Sequence, residues 1–301
     1  MIRHQHLKTL IEDILLNSNV LSEDYSLRLI NELRYSGLII PAKRSDSKLN
    51  FIIYETDDLK YTPLFTDRDE FKKIFPQDDV EGLENTFELY QNILKTKDID
   101  GYILNPQTLN YILDRELILS IIPPKLNTFT ASPYDEEELK EIFNSLDNTP
   151  LEEFIANPLN TTDWEGLFEV FSSSIPLALM LASSDLSSLE NNGVISMREK
   201  DPLAFMHIDR IGGKYATIFS SKEKILKVSC DSRLFRYGQL INLSTLVNYV
   251  LCEDMDGIIL NPETDNVLIP RGELLKHSRG FEKFCSNPRL CNAIFYLFSI
   301  E

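Results

Sequence analysis

No stretch of this sequence is apolar for long enough to cross a bilayer. The most apolar one, SIPLALMLAS (174–183), has ten residues, about half of a spanning helix. The N-terminal MIRHQHLKTLIEDILLN lacks the unbroken apolar core of a secretory signal. Cysteine is scarce. The four residues Cys230, Cys252, Cys285 and Cys291 all lie in the second half, with no CxxC pair and no zinc-like grouping with histidine. A secreted disulfide framework would spread its cysteines along the chain, so reduced thiols in a soluble, cytoplasmic protein are expected. Basic residues are outnumbered, 30 against 47 acidic, for a net charge of −17. That charge repels phosphate backbones and anionic headgroups, which argues against nucleic-acid and membrane partners.

The strings of common chemistries are missing as well. The chain has no P-loop, no GxGxxG, no GxSxG and no HExxH, so no cofactor and no metal are expected. His4, His6, His207 and His277 have no ligand spacing.

What the chain does contain is itself, twice. A shift of 156 residues sets DIDGYILNP (98–106) over DMDGIILNP (254–262), and Thr108, Asn110 and Arg115 over Thr264, Asn266 and Arg271. A shift of 154 sets NFIIYETDDLKYTPLFTDRDEF (50–71) over AFMHIDRIGGKYATIFSSKEKI (204–225). Two blocks in the same order indicate an internal duplication. A boundary in NSLDNTP (144–150) gives domains of 1–147 and 148–301, each of ordinary domain size.

Each block reads as structure. FIIYETDDLKYTPLFT is two β-rich runs around a polar turn, where the second copy has Gly212-Gly213. DRDEFKKI and SKEKILKV start helices with polar caps. Leu83, Phe87, Tyr90 and Leu94 space an amphipathic helix. Its counterpart, residues 239–251 (QLINLSTLVNYVL), carries no charge and is apolar nearly all round. Such a helix is expected to be covered, by the other copy, by another protein or by self-association. Asp-Gly then turns the chain into a short buried strand, Asn-Pro ends it, and a polar turn returns into a second strand and a helix. Upstream, DYSLRLINELRYSGLIIPA (24–42) and DWEGLFEVFSSSIPLALMLA (163–182) each run from helix to strand, and GVISM (193–197) reads as an added hairpin arm. The expected fold is α+β, two tandem domains, each a mixed β-sheet with helices packed on it.

The helix-to-strand opening, the hairpin ending in PLFTD or TIFSS, and then DGIILNP…NVLIPRGELL resemble the SseB N-terminal domain family, a family named for serine sensitivity. The resemblance covers about residues 10–120 and 150–278. It implies an α+β fold in each copy and brings no catalytic residues.

Candidate chemistry is thin. CDSRLFR, from Cys230 to Arg236, has the Cys-x5-Arg spacing of phosphatase and sulfurtransferase loops, though without a glycine in the loop or a cysteine in the other copy. The duplicated positions Asp98, Asp100, Asn105 and Arg115, with Asp254, Asp256, Asn261 and Arg271, are the binding candidates. The aspartates read as solvated turn residues without an EF-hand ligand set. The arginines read as local ion pairs with Asp100 and Asp256, or else as holders of a partner's carboxylate. The expected function is therefore non-catalytic binding or scaffolding. The alternatives are a small-anion enzyme using Cys230 and Arg236, and a small-molecule sensor binding between the repeats.

Overall fold

A computed structural model of the chain describes residues 4–17, 23–45, 48–56, 59–77, 79–85, 87–124, 141, 147–157, 160, 162–174, 177–182, 190–191, 194–195, 203–210, 212–228, 237–240, 243–284 and 297–299. The chain divides into two compact units, Met1–Lys125 with Leu251–Asp254, and Leu126–Val250 with Met255–Glu301. Helices combine with antiparallel and mixed sheets, so the fold is α+β. Among the described residues no helix is long and apolar enough to cross a membrane.

The first half begins with α1 (Gln5–Leu16), α2 (Glu23–Tyr35), β1 (Ile39–Ser45), β2 (Lys48–Phe51), β3 (Tyr54–Thr56) and β4 (Leu59–Leu64). It continues with α3 (Arg68–Ile74), β5 (Glu81–Glu84), α4 (Phe87–Thr96), β6 (Gly101–Leu104), β7 (Tyr111–Asp114) and α5 (Arg115–Ser120). Apolar residues at helical spacing decide which face of α1 turns inward: Leu7, Leu10, Ile11 and Ile14 are all buried. Asp67 caps α3, its carboxylate accepting from the Glu70 N–H at 2.8 Å.

Two sheets result. One is antiparallel, in the order β2-β1-β5; the other is mixed, in the order β3-β4-β6-β7, with β4 and β6 parallel. They meet at one reciprocal pair, Ile39 N–H to the Phe65 carbonyl at 2.8 Å and Phe65 N–H to the Ile39 carbonyl at 2.9 Å. One face of the mixed sheet supplies Leu64, Tyr102, Leu104 and Leu113 to a core shared with Tyr90, Ile93 and Leu94 of α4. Each such side chain contributes about 1.5–3 kcal/mol on burial. Ile39, Phe65, Phe71 and Val80 form a separate cluster, with Phe65 and Phe71 edge to face at 5.5 Å.

The second half has α6 (Thr149–Ala156), α7 (Trp164–Ser173), β8 (Leu177–Ala182), β9 (Glu190–Asn191), β10 (Val194–Ile195), β11 (Leu203–Phe205), β12 (His207–Arg210) and β13 (Gly213–Ile218). There follow α8 (Lys222–Ile225), β14 (Tyr237–Leu240), α9 (Leu243–Cys252), β15 (Gly257–Leu260), β16 (Val267–Pro270), α10 (Arg271–Phe284) and β17 (Leu297–Ser299). Its sheets have the orders β11-β8-β14-β17 and β12-β13-β15-β16. The second is again mixed, β13 running parallel to β15. Here too one reciprocal pair joins the sheets: Leu177 and Phe219 exchange N–H to carbonyl bonds of 2.8 Å each way. β9 and β10 form a small hairpin of their own, which is the added arm expected around GVISM.

Two helix boundaries differ from the sequence reading. Leu83 lies in β5, paired with Ile40 of β1, and the helix starts only at Phe87. Gln239 and Leu240 of the expected 239–251 helix lie in β14, paired with Ala178 and Leu177, and the helix starts at Leu243. Short apolar runs fit both periods, and a neighbouring strand with free backbone groups settles the choice for the ladder. Within α9, Leu246, Val247, Val250 and Leu251 are at most 1% exposed. These four side chains are already buried within the chain, so they are not the surface for another protein or for the self-association expected through this helix.

Candidate functional site

The duplicated positions cluster at the two ends of the parallel strand pair at the centre of each mixed sheet. At one end stand Asp100 and Asp256. The Asp100 carboxylate accepts from the Lys60 N–H at 2.8 Å, and its own N–H donates to the Lys60 carbonyl at 2.7 Å. Asp256 treats Lys214 alike, at 2.6 and 2.8 Å. The glycine that follows is there for space. A Cβ on Gly101 would collide with the Leu113 carbonyl oxygen, and one on Gly257 with that of Ile269. Asp-Gly is therefore a device for starting β6 and β15 beside β4 and β13 while a third strand passes very close.

At the other end stand Asn105 and Asn261, buried and in the left-handed region with φ of 43° and 51°, a conformation asparagine tolerates better than most residues. Oδ1 of Asn105 accepts from the Thr66 N–H at 3.0 Å while Nδ2 donates to Thr66 Oγ1 at 2.9 Å. Asn261 does the same with Ser220, at 2.8 and 2.9 Å. Asn110 and Asn266 also have positive φ, 47° and 55°, and close the turn back into the return strand.

The arginines tie the Asp-Gly end together through main chain. Arg115 N–H donates to the Asp100 carbonyl at 2.9 Å, and its Nη1 to the Ile99 carbonyl at 2.8 Å. Arg271 matches this with Asp256 and Met255 at 2.8 and 3.0 Å. The ion pair expected between Arg115 and the Asp100 carboxylate is not found among the described residues; both Arg115 bonds go to carbonyls flanking the turn, because the carboxylate is already taken up by the Lys60 N–H. Asp98 is almost wholly exposed and pairs with Lys60 Nζ at 3.2 Å, an ion pair of small energetic weight. Asp254 occupies a left-handed turn position, φ 53°. Among the described residues no group of three His, Cys, Asp or Glu side chains could hold a metal ion. Cys230 and Arg236 lie outside the described residues.

Two features had no signal in the sequence. Glu70 is 3% exposed and receives Lys8 Nζ at 2.7 Å, Lys73 Nζ at 2.8 Å and Thr108 Oγ1 at 2.8 Å. Burial alone would raise its pKa; the three donors more than offset that and hold the carboxyl at about 2. At the position matching Glu70 stands Lys224, which bonds Asp265 at 2.8 Å. The short helix is thus braced against the Asn-Pro turn in both halves, by Glu70 with the neutral Thr108 hydroxyl in the first and by the ion pair of Lys224 with Asp265 in the second. His4, one of the histidines without ligand spacing, is buried, and its Nε2 accepts from the Gly37 N–H at 3.1 Å. Only Lys73, three residues after Glu70, could have been read as a helical pair.

A small pocket of about 140 Å³ opens in the first half. Phe51, Ile53, Ile93 and Ile99 form its apolar wall, and the exposed Asn50 and Lys97 also line it. So does Thr62, 0% exposed, whose Oγ1 has no hydrogen-bond partner among the described residues. Comparisons with protein-family models, with curated proteins and with solved structures find no match to this chain.

Proposed function

We propose that this chain is a non-catalytic binding or scaffolding protein, an internal duplication of one SseB-like module. The observation that carries the reading is the use made of the duplicated polar side chains. Asp100, Asn105 and Arg115, and with them Asp256, Asn261 and Arg271, hold backbone at the ends of a strand pair. Selection that keeps such residues in both halves keeps a shape. What the halves also share is an apolar side chain on an edge strand: Ile112 of β7 and Leu268 of β16, at matched positions, are 52% and 42% exposed. Edge strands with exposed apolar residues are natural places for a partner to add.

The test is capture from native lysate with the full chain as bait, beside an Ile112→Asp/Leu268→Asp variant, together with light scattering. A partner or a second copy held by the parent chain and lost from the variant supports the reading. A monomer that captures nothing, or a partner held equally by both, contradicts it.

A further inference from the structure

We infer that the pocket of the first half binds a small carboxylate that also carries a neutral oxygen, a short-chain oxo- or hydroxy-acid. Three observations meet there. A buried hydroxyl without a partner is costly, and Thr62, one of the residues that line the pocket, carries such a group in its Oγ1. A ligand carbonyl or hydroxyl would complete it. The wall of Phe51, Ile53, Ile93 and Ile99 suits a short aliphatic body. The Lys97 ammonium and the Asn50 amide can meet a carboxylate whose charge stays close to solvent. A volume of about 140 Å³ is comparable to an engineered cavity that holds benzene, which points to a ligand of about six to eight non-hydrogen atoms.

The second half supplies an internal control. The pairing of β12 with β13 places His207 opposite Ala216, where Ile53 and Thr62 stand in the first half. At a shift of 156 Tyr249 replaces Ile93 and Glu253 replaces Lys97. The hydroxyl is gone, the cation has become an anion, and an aliphatic wall residue has become a larger ring. The site therefore belongs to the first half alone, with one ligand per chain. This inference is independent of the partner-binding reading above.

The probe is 4-oxopentanoate, titrated into the full chain with the isoleucine methyl groups followed by NMR. Pentanoate, which lacks the neutral oxygen, and pentan-2-one, which lacks the carboxylate, are the comparison ligands. Saturable shifts at the methyls of Ile53, Ile93 and Ile99, at one site per chain, are expected. Thr62→Val and Lys97→Glu should each weaken 4-oxopentanoate about tenfold, the worth of one good polar contact. Pentanoate should respond only to Lys97→Glu, and pentan-2-one only to Thr62→Val. Because Lys97 is exposed, its variant leaves the core intact and keeps the test open should Thr62→Val disturb folding. No saturable shift with any probe, two sites per chain, or affinity indifferent to Lys97→Glu would overturn the inference.

Discussion

Asn105 and Thr66, 39 residues apart, are joined by two hydrogen bonds, one through the Thr66 backbone and one through its hydroxyl. Both residues are buried, so neither bond can be replaced by water once a partner is removed. Thr66→Val keeps the backbone bond but leaves Asn105 Nδ2 without its acceptor. The expected loss is about 1–3 kcal/mol of stability in urea unfolding. Thr66→Ser retains the hydroxyl and should stay within about 1 kcal/mol of the parent.

The two glycines of the Asp-Gly strings should be far less replaceable than a helical one. Gly257→Ala drives a methyl group into the Ile269 carbonyl, and Gly101→Ala one into that of Leu113. Gly272, in α10, has nothing within 4 Å of an added Cβ. Gly257→Ala and Gly101→Ala should each cost about 3 kcal/mol or more, or prevent folding. Gly272→Ala should be neutral or gain up to about 1 kcal/mol, from the lower helix propensity of glycine. Denaturant midpoints of the three variants check this.

Glu70 gives the first half a specific acid sensitivity. Its carboxyl titrates at about 2 in the folded chain against an ordinary value of 4.5. The folded value is the lower one, so its stabilising contribution is complete above about pH 4.5 and is lost as pH falls toward 2. The difference corresponds to on the order of 3 kcal/mol. Unfolding midpoints followed from pH 5 to pH 2 should fall more steeply for the parent than for Glu70→Gln. Parallel curves would show that the Lys8 and Lys73 contacts carry no such weight.

The sequence made some elements plain and hid others, for physical reasons. The hairpin from Tyr54 to Leu64, the helix starts at Asp67 and Ser221, and the Asp-Gly-strand-Asn-Pro unit all announce themselves through turn chemistry, which acts over a few residues. β5 and β14 were hidden because Leu83 and Leu240 continue an apolar spacing that also suits the following helix. Only their ladders to β1 and β8 make them strands. The candidate positions were legible as duplicated residues, but their roles were not. Asn105 shows its purpose only beside Thr66, and Asp100 only beside the Lys60 backbone. The Thr62 hydroxyl left no trace in the pattern, because a buried polar group in a strand is visible only once its neighbours are in place.

The central claim is that the duplicated polar residues serve the fold. It is tested most directly by the stabilities of Asn105→Ala and Asn261→Ala, measured by urea unfolding beside partner capture at a temperature where both variants are folded. Each substitution removes the acceptor of a buried N–H and forces alanine into the left-handed region. The expected result is a loss of about 2–4 kcal/mol in each variant, with capture by the folded protein unchanged. Stability within about 0.5 kcal/mol of the parent, together with lost capture, would contradict the claim and make these asparagines binding residues.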